Sequence, residues 1–327
     1  MDEVFRSPVS ELGHVRQPRR IRVHLGIDDF QTVLLESTGG SYMQILVTGA
    51  YGRCGTAIID HLHEHPTYEF TYFNRSERPD DHPYGGYETI IGNVDDFDTV
   101  RAAMDGKDAV IHLAAYPYTD GSWNDVHDPN ILGMYNTLEA AREAEVEHFI
   151  FASTNHVVGM YEKTLRPELY EEKAGVVVDH QSPIRPDSYY GASKAFGEFL
   201  GRYYVEKFSA PKRFYALRIC NVSHAEEDNP GAFAAGLIDD GLDPESEEYV
   251  QKVRRKMAMW HSRRDFAHLI DCCLSDDTVE FDIFYGVSDN ANRWFDLEHG
   301  RSVLGYRPRD RAEDQEIPGI TVSVNGN

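Results

Sequence analysis

Residues 43–62 read MQILVTGAYGRCGTAIIDHL, and this stretch decides the fold. An apolar run at 44–48 stops at Gly49, further glycines follow at 52 and 55, and apolar residues then recur at helical spacing through Leu62. This is the pattern of a strand that turns tightly into an amphipathic helix. It predicts the first βα unit of an α/β protein.

Short β-rich runs recur beyond this unit, with helical periodicity between them. They lie at residues 69–74, 109–115, 148–153 and 214–219. Strands that alternate with amphipathic helices form parallel βαβ units with right-handed crossovers. The sequence therefore predicts an α/β fold with a doubly wound parallel sheet of the Rossmann type.

The three glycines of the first turn have a chemical use as well. Glycines between a strand and a helix let the backbone approach a pyrophosphate, and the helix N-terminus favours its negative charge. Any tight turn can use spaced glycines, so the motif alone is weak. Its place directly after the first strand favours a dinucleotide site.

We divide the chain into three parts. Residues 1–42 carry no motif and are expected to form an N-terminal extension outside the fold. Residues 43–222 are expected to form the dinucleotide-binding domain with the catalytic residues, and residues 223–327 a small substrate-binding lobe with the C-terminal tail. Within this lobe, residues 223–255 show little periodicity and are expected to be substrate-facing loops. Its later elements are expected at 263–274 (helix), 280–285 (strand) and 292–305 (helix).

The charge of the chain excludes some classes of partner. Its 327 residues include 55 Asp+Glu against 32 Lys+Arg, a formal net charge of −23. Such a surface repels nucleic-acid phosphates and anionic lipid headgroups, so we expect neither partner. Only eight residues are lysine, and concentrated salt screens the self-repulsion of so acidic a surface. This indicates a halophilic protein, with an ordinary acidic enzyme as the alternative.

Neither a metal site nor a membrane location is expected. The four cysteines form no CxxC pair, and His61, His63 and His65 are spaced two apart on a predicted helix, where they do not face one another. The sequence has no apolar run of eighteen residues and no secretory signal pattern. We expect a cytoplasmic protein with reduced thiols.

Tyr190 and Lys194 stand one helical turn apart, so both side chains face one site. Tyrosine is a poor base at its ordinary pKa of about 10. Positive charge from Lys194 and from an oxidised nicotinamide would favour the phenolate. By itself the pair is weak, because an unrelated surface tyrosine and lysine give the same pattern.

The order of four motifs carries more information than any one of them. TGxxGxxG at 48–55, HLAA at 112–115, Ser153-Thr154 and YxxxK at 190–194 occur in this order, and the chain from Met43 to about Asp310 resembles the extended short-chain dehydrogenase/reductase family. The resemblance implies that Tyr190 is the general base and that Lys194 lowers its pKa and binds the nicotinamide ribose. It implies a hydroxyl role for Thr154 and a supporting role in the proton relay for Asn130.

The resemblance also implies which residues contact the dinucleotide. They lie in the first turn, at the ends of the strands and on the catalytic helix: Gly49, Tyr51, Gly52, Arg53, Asn74, Arg75, Asn93, Val94, Leu113, Ala114, Ala115, Tyr190, Lys194 and Ile219.

FASTNHVVG at 151–159 and MWHSRRDF at 259–266 are similar to sugar 1-dehydrogenases, including the uronate dehydrogenases and the halophile NAD-dependent glucose-6-phosphate dehydrogenases. This similarity implies oxidation of a ring hemiacetal at C1 to a lactone. The residues implied to contact the sugar are Thr154, Asn155, His156, Tyr190, Asn221 and Arg255. As alternatives, His156 only supports the site, Asn221 caps a loop, and Arg255 lies in solvent.

The cofactor end departs from the NAD-specific relatives. They carry an aspartate at the end of the second strand, where this chain has Asn74 followed by Arg75, and Asn93 replaces a second aspartate near the adenine. A neutral residue beside arginine suits a 2'-phosphate. We therefore expect NADP, or use of both NADP and NAD, unless Arg75 simply points to solvent.

The leading functional hypothesis is a dehydrogenase for a cyclic aldose, with a neutral aldose of the L-arabinose type slightly favoured. Glucose 6-phosphate or a uronate is the alternative substrate. A sugar-nucleotide 4-epimerase or dehydratase and a non-catalytic redox sensor are the alternative classes. The family resemblance also implies a homodimer.

Overall fold

The computed structural model describes residues 42–170 and 175–320 of the chain. Apart from Tyr42, the predicted N-terminal extension lies outside these residues, so its separation from the fold stays a prediction.

The strands of the described residues are β1 (Met43–Thr48), β2 (Tyr68–Asn74), β3 (Thr89–Ile91), β4 (Ala109–His112), β5 (His148–Thr154), β6 (Arg213–Ile219) and β7 (Phe281–Gly286). They form one parallel sheet in the order β3-β2-β1-β4-β5-β6-β7. The strand order reverses between β1 and β4, and ligands of such sheets bind in the crevice at this switch point. The α/β prediction is confirmed.

The α-helices of the described residues are α1 (Arg53–Leu62), α2 (Phe97–Ala103), α3 (Trp123–Val126), α4 (Gly133–Glu143), α5 (Gly159–Leu165), α6 (Tyr189–Lys207), α7 (Pro230–Asp239), α8 (Glu247–Met259), α9 (Arg263–Ser275) and α10 (Glu298–Val303). A π-helical turn, His127–Leu132, joins α3 to α4.

Two hydrophobic cores cover the two faces of the sheet. Ile45 and Val47 of β1 pack in one core with α1 and α9, while Leu46 between them packs in the other with α2, α4 and α6. Successive side chains of a strand point to opposite faces, so a strand buried on both faces is a continuous apolar run. This explains why the run at 44–48 was a clear strand signal.

The strand predicted at 109–115 ends earlier, at His112. Its neighbour β1 ends at Thr48, which is the register partner of His112, and the chain then turns away at Gly49 with φ at 71°. Without a β1 partner beyond Thr48, Leu113 continues as loop. The three-residue β3 was not predicted, because so short a run carries little periodicity.

The prediction of loops over 223–255 is wrong, because the structure places α7 and α8 there. Asn229 caps α7 through its side-chain oxygen, with Pro230 at the first helical position, and Ser246 caps α8. Tyr249, Val253 and Met257 are spaced by four residues and form the buried face of α8. The many acidic residues of the segment obscured this period.

The helix predicted at 292–305 is confirmed only in part, as α10 covers Glu298–Val303. Residues 223–327, predicted as a lobe, also supply β7 and α9 to the sheet layer. A separate third core packs α7 and α8 together with Trp260, Ala312 and Ile317.

A buried ion pair fixes α6 on the sheet. Glu198 of α6 accepts two hydrogen bonds of 2.9 Å from Arg218 of β6 and one of 2.6 Å from Ser153 of β5. Arg218 also donates to the Tyr285 hydroxyl of β7 at 3.0 Å. Both charged side chains are at most 2 % exposed. The Glu198–Arg218 pair therefore ties α6 to three neighbouring strands.

We expect Glu198→Gln to lower the free energy of unfolding by about 3–5 kcal/mol, because it leaves the Arg218 guanidinium buried without its counter-charge. Denaturant titration at constant salt measures this. Glu206→Gln is the matched control, since Glu206 lies on the same helix and pairs with Arg202 on the surface, where a pair contributes up to about 1 kcal/mol. Equal losses in the two variants would contradict a special role for Glu198.

Candidate active site

The predicted site residues converge on one edge of the sheet. Many of them follow the carboxyl ends of the strands, which lie side by side because all strands are parallel, while Arg53, Asn130, Tyr190, Lys194 and Arg255 lie on helices. The end of β1 and the end of β4 are closely joined. Leu113 donates its backbone N–H to the Thr48 carbonyl at 3.1 Å, and the Thr48 hydroxyl lies 2.9 Å from His112 Nδ1. The switch-point crevice opens at this junction.

Gly49 is required at this junction for two reasons. Its φ of 71° is costly for other residues, and an added Cβ would lie 2.7 Å from the Ala114 nitrogen. Gly52, at the start of α1, would meet only the Gly49 carbonyl, at 3.4 Å. The backbone at the start of α1 is therefore open to close approach by a ligand, which fits the predicted pyrophosphate of a dinucleotide.

The adenosine end of the predicted cofactor site lies at β2 and β3. The Asn74 side chain donates to the Ser76 carbonyl at 2.8 Å, and Arg75 is exposed. A second guanidinium, that of Arg78, lies 5.3 Å from the ring centroid of Tyr51 in the first turn. Sequence analysis missed Arg78, although it stands three residues from Arg75. Two cations therefore border this end of the site.

Two further sets of predicted cofactor residues lie on the same edge. Asn93 and Val94 follow β3, and Asn136 of α4 holds their loop through hydrogen bonds to the carbonyls of Val94 and Asp95 at 3.1 and 2.9 Å. Leu113, Ala114 and Ala115 follow β4, and Ile219 ends β6.

The first turn of α6 brings the predicted catalytic pair to the end of β5. The Ser188 hydroxyl caps the helix by accepting from the Gly191 N–H at 3.1 Å. A Cβ on Gly191 would lie 2.4 Å from the His156 carbonyl oxygen, so only glycine allows this approach. Tyr190 consequently faces the 154–156 segment, with its ring centroid 6.0 Å from that of His156.

Burial is the main influence on the protonation of Tyr190 and Lys194. It raises the pKa of Tyr190 to about 12, while a hydrogen bond with Thr154 acts in the opposite direction. It lowers the pKa of Lys194 to about 7, and the ammonium lies 4.8 Å from the ring centroid of Phe151. Burial thus outweighs the groups that lower the pKa of Tyr190, and the expected contribution of an oxidised nicotinamide stays a prediction.

Asn130 lies in the π-helical turn, and its side chain forms hydrogen bonds with two neighbouring segments. Its side chain accepts from the Tyr116 N–H at 2.7 Å and donates to the Ser193 hydroxyl at 2.9 Å. Ser193 in turn donates to the Tyr190 carbonyl at 2.7 Å. Asn130 thus positions the start of α6, and its predicted part in a proton relay stays a prediction.

Two predicted sugar contacts stand next to Thr154. The Asn155 side-chain nitrogen is buried, and no acceptor among the described residues takes its hydrogen bonds. An unpaired buried amide is costly, so this group is suited to a ligand oxygen. His156 Nδ1 lies 2.9 Å from the Asp187 carboxylate. That contact fixes the ring and leaves Nε2 for a ligand.

Arg255, predicted to contact the sugar or else to lie in solvent, is held by an ion pair. Its guanidinium forms a bidentate pair with the buried Glu162, with Nη2 at 3.1 Å from Oε2, and the Tyr170 hydroxyl donates to the same carboxylate. Arg255 is thus paired rather than free in solvent, and its predicted contact with the sugar stays a prediction. The charge of Arg255 is largely cancelled by Glu162.

Asn221 contacts a cation that sequence analysis missed. Lys256 donates to Asn221 Oδ1 at 2.9 Å and to the Ser223 hydroxyl at 2.6 Å. Its side chain is buried, and burial lowers its pKa to about 8, against the opposing effect of Asp228. Its place beside Arg254 and Arg255 made Lys256 look like one member of a surface cluster. The four-residue spacing of Tyr249, Val253 and Met257 was the signal that places it near the buried face.

The expectation of no metal site rested on the cysteines and on three histidines, of which His61 lies on α1 while His63 and His65 follow it. His63 lies 2.8 Å from the Tyr72 hydroxyl, and His65 stacks on Tyr68. Elsewhere, potential ligand atoms of His180, Asp282 and His299 lie within 4.8 Å of one another.

Among the described residues, no helix combines the length and apolar character needed to cross a bilayer.

A Rossmann sheet with a tyrosine and lysine one turn apart at its carboxyl edge defines the class of short-chain dehydrogenases and reductases. The chain belongs to the NAD dependent epimerase/dehydratase family, whose model matches residues 45–275. The family predicted from the motifs is confirmed.

The chain is also similar to individual dehydrogenases of known sequence or structure. The chain is 35 % identical over 279 residues to the NAD-dependent glucose-6-phosphate dehydrogenase of Haloferax volcanii, covering 84 % of this chain and 96 % of that one. It is 34 % identical over 276 residues to the L-arabinose 1-dehydrogenase (NAD(P)(+)) of the same organism, with coverages of 82 % and 97 %. The solved uronate dehydrogenase of Agrobacterium tumefaciens aligns with a TM-score of 0.63 at 28 % identity, over 84 % of this chain and 86 % of that one.

We expect Gly191→Ala to lower the free energy of unfolding by about 1–3 kcal/mol, because its Cβ overlaps the His156 carbonyl. Gly236→Ala is the control, since a Cβ at Gly236 of α7 meets nothing within 4 Å and is expected to be neutral or slightly stabilising. Denaturant titration compares the two variants. An unchanged stability of Gly191→Ala would show that α6 does not depend on this close contact.

Proposed function

We propose that the chain oxidises a cyclic aldose at C1 to the lactone with NADP or NAD. The observation that carries the proposal is the position of Tyr190 against the 154–156 segment, with its ring centroid 6.0 Å from that of His156, beside the unpaired amide of Asn155. A hydroxyl bound between Thr154 and Tyr190 has its proton next to the phenol oxygen, and the amide is placed to bind a neighbouring ring oxygen. The sugar dehydrogenases among the relatives support this choice of substrate.

Each residue of the proposed mechanism has one task. Tyr190 as phenolate accepts the proton of the C1 hydroxyl, while Thr154 orients that hydroxyl by hydrogen bonding. Lys194 supplies positive charge beside Tyr190 and holds the ribose. A bound oxidised nicotinamide supplies the hydride acceptor and the further positive charge. Asn155 and His156 bind ring hydroxyls, so that C1 is held in one orientation.

We expect Tyr190→Phe to lower turnover at least 100- to 1000-fold, about 3–4 kcal/mol, because the proton acceptor is lost. The rate of the unmodified enzyme should rise with pH, since the base must be ionised. Tyr189→Phe is the matched control, as Tyr189 is the exposed neighbour and should retain activity.

The assay follows absorbance of reduced cofactor with a panel of aldoses. Retained activity in Tyr190→Phe would place the base elsewhere. Failure of every aldose to reduce NADP or NAD, with turnover of a sugar nucleotide instead, would favour the epimerase class.

At the cofactor end we propose a preference for NADP, or use of both cofactors. Two arginines, the exposed Arg75 and the nearby Arg78, border the end of β2. The strand ends in Asn74, which is neutral, so no carboxylate stands at this position. A guanidinium beside a 2'-phosphate makes a charge-assisted contact, whereas the ribose diol of NAD has no such charge.

We expect Arg75→Ala to weaken NADP binding by about 1.5–3 kcal/mol and NAD binding much less. Asn74→Asp should shift the preference toward NAD, because a carboxylate binds the ribose diol and repels the phosphate. Fluorescence titration with NADPH and NADH measures both. Equal effects on the two cofactors in both variants would contradict the proposed role of Arg75.

We further propose that the protein is a homodimer and works in a halophilic cytoplasm. Phe199 and Tyr203, one turn apart on α6, are 65 % and 52 % exposed, and Tyr135 of α4 is 45 % exposed. Exposed aromatics on neighbouring helices are typical of an interface. The net charge of −23 and the Haloferax relatives support the halophilic setting.

A further inference from the structure

A group of exposed aromatic side chains lies beside the first turn of α6. Trp123 of α3 and Tyr189 of α6 are each about half exposed, and their ring centroids lie 6.1 Å apart at an interplanar angle of 70°. Tyr118, in the loop after β4, is also about half exposed, and its ring meets that of Tyr116 edge-on at 5.4 Å. Single exposed apolar residues are ordinary, whereas a contiguous patch marks a binding surface.

A surface cavity of about 560 Å³ lies at this patch. Sites for small molecules range from about 300 to 1,000 Å³, so the cavity is large enough to hold one. We call the cavity, together with Trp123, the aromatic cleft. The residues that line the cavity come from the loop after β4 and from the segment that begins α6: Thr119, Gly121, Pro186, Ser188, Tyr189 and Ala192.

The loop that forms one side of the aromatic cleft is held firmly. A Cβ on Gly121 would lie 2.3 Å from the Tyr116 ring, so this ring packs directly on the Gly121 backbone. Asn130 accepts from the Tyr116 N–H at 2.7 Å and donates to the Tyr116 carbonyl at 3.1 Å. Ser122 and Asp125 form a capping box at the start of α3. The cleft is therefore formed in advance, and a ligand loses little affinity to ordering it.

The aromatic cleft lies next to the proposed C1 site but outside it. Successive residues of a helix point about 100° apart, so Tyr189 faces the cleft while Tyr190 faces His156. The Ser188 hydroxyl donates to the Asp187 carboxylate at 2.9 Å, and the same carboxylate lies 2.9 Å from His156 Nδ1. One aspartate thus separates the cleft from a residue proposed to bind the sugar.

The charge around the aromatic cleft disfavours an anionic occupant. Residues 116–128 contain three aspartates and neither lysine nor arginine. Loss of water and the carboxylates of Asp125 and Asp120 raise the pKa of Tyr116, so the negative field reaches the aromatic ring of the loop. Arg185, which precedes the α6 segment, lies over a tyrosine ring of α5 instead. A phosphate or carboxylate would be repelled here, whereas hydroxyl groups can donate to the carboxylates.

A neutral sugar ring has the chemistry that this cleft accepts. Its C–H faces pack on aromatic rings, whose own faces are negative, and its hydroxyls project from the edge toward polar groups. A sugar nucleotide fits poorly, because its diphosphate is anionic and blocks the C1 hydroxyl.

We infer that the aromatic cleft binds a second, neutral sugar ring, so that the substrate is the reducing end of a disaccharide or longer saccharide. The reducing end keeps the free C1 hydroxyl that oxidation requires, and the neighbouring ring lies against Trp123 and Tyr189. The inference rests on the proposed function and extends its substrate beyond one ring.

The test compares each neutral disaccharide with the monosaccharide that forms its reducing end: cellobiose with glucose, xylobiose with xylose, and arabinobiose with L-arabinose. We expect kcat/KM for the preferred disaccharide to exceed that for its monosaccharide about 10-fold. Trp123→Ala should lower kcat/KM for the disaccharide about 10-fold, mainly through KM, and for the monosaccharide less than about threefold. Trp123→Phe keeps an aromatic ring and should retain most of the preference. Tyr42→Ala is the matched control and should change neither value, because Tyr42 is an exposed aromatic just before β1, at the opposite edge of the sheet.

Tryptophan fluorescence tests the cleft without turnover. The chain has three tryptophans, and Trp260 and Trp294 are buried, so Trp123 is the one that a saccharide can reach. A disaccharide of the panel should change the fluorescence of the unmodified protein to saturation, and its monosaccharide should change it much less. Trp123→Phe should abolish the change.

Several results would overturn the inference. They are the absence of any preference for a disaccharide, equal losses on both sugars in Trp123→Ala, and a fluorescence change with UDP-glucose but with no disaccharide. A change of oligomeric state in Trp123→Ala would instead assign the surface to a contact between copies of the chain. If no sugar reduces the cofactor, the proposed function fails, and fluorescence alone then decides: a response specific to a disaccharide supports the cleft, and its absence contradicts it.

Discussion

The geometry of the candidate active site depends on one buried carboxylate, that of Glu198. Glu198 stands four residues after Lys194 and eight after Tyr190 on α6, so it lies on the same side of the helix. Its bonds to Ser153 and Arg218 fix this helix against the ends of β5 and β6. Because Ser153 precedes Thr154, the same carboxylate sets the distance between the helix that carries Tyr190, the proposed base, and the strand that ends in Thr154.

The environment of the site sets its chemistry through burial. Tyr190 and Lys194 are both driven toward their neutral forms by loss of water. Such a pair responds strongly to any charge brought near it, because the low dielectric of the interior strengthens electrostatic interactions. In the proposed mechanism, Tyr190 therefore becomes an effective base only when a positively charged partner is bound beside it, which would couple proton abstraction to the presence of the oxidant.

Much of the fold was predictable, because strands buried on both faces are continuous apolar runs. The strands at 148–153 and 214–219 were placed within one residue at each end. The residues after each strand were predictable as a group, since parallel strands bring their carboxyl ends together. The segment 223–255 was not, because its acidic surface hid the helical period of α8.

The sequence also could not show which charged residues pair with one another. Arg255 and Lys256 are adjacent, and nothing in their order indicates that one meets Glu162 and the other only neutral partners. Glu162 is 93 residues from Arg255 along the chain, so only the tertiary fold brings them together. For the same reason, nothing in the sequence distinguishes Glu198 from the many other acidic residues of the chain.

The separate core of α7 and α8 has a consequence for how such a protein changes over evolutionary time. Its apolar residues pack with one another and with Trp260, Ala312 and Ile317, apart from the two cores that hold the sheet. Substitutions on the exposed face of α8 therefore do not change the packing of α6 on the sheet. The effects of substitutions in the two regions on the free energy of unfolding add to one another. Under the proposed function, substitutions in this lobe can therefore alter sugar selectivity without changing how Tyr190 and Lys194 are held against the sheet.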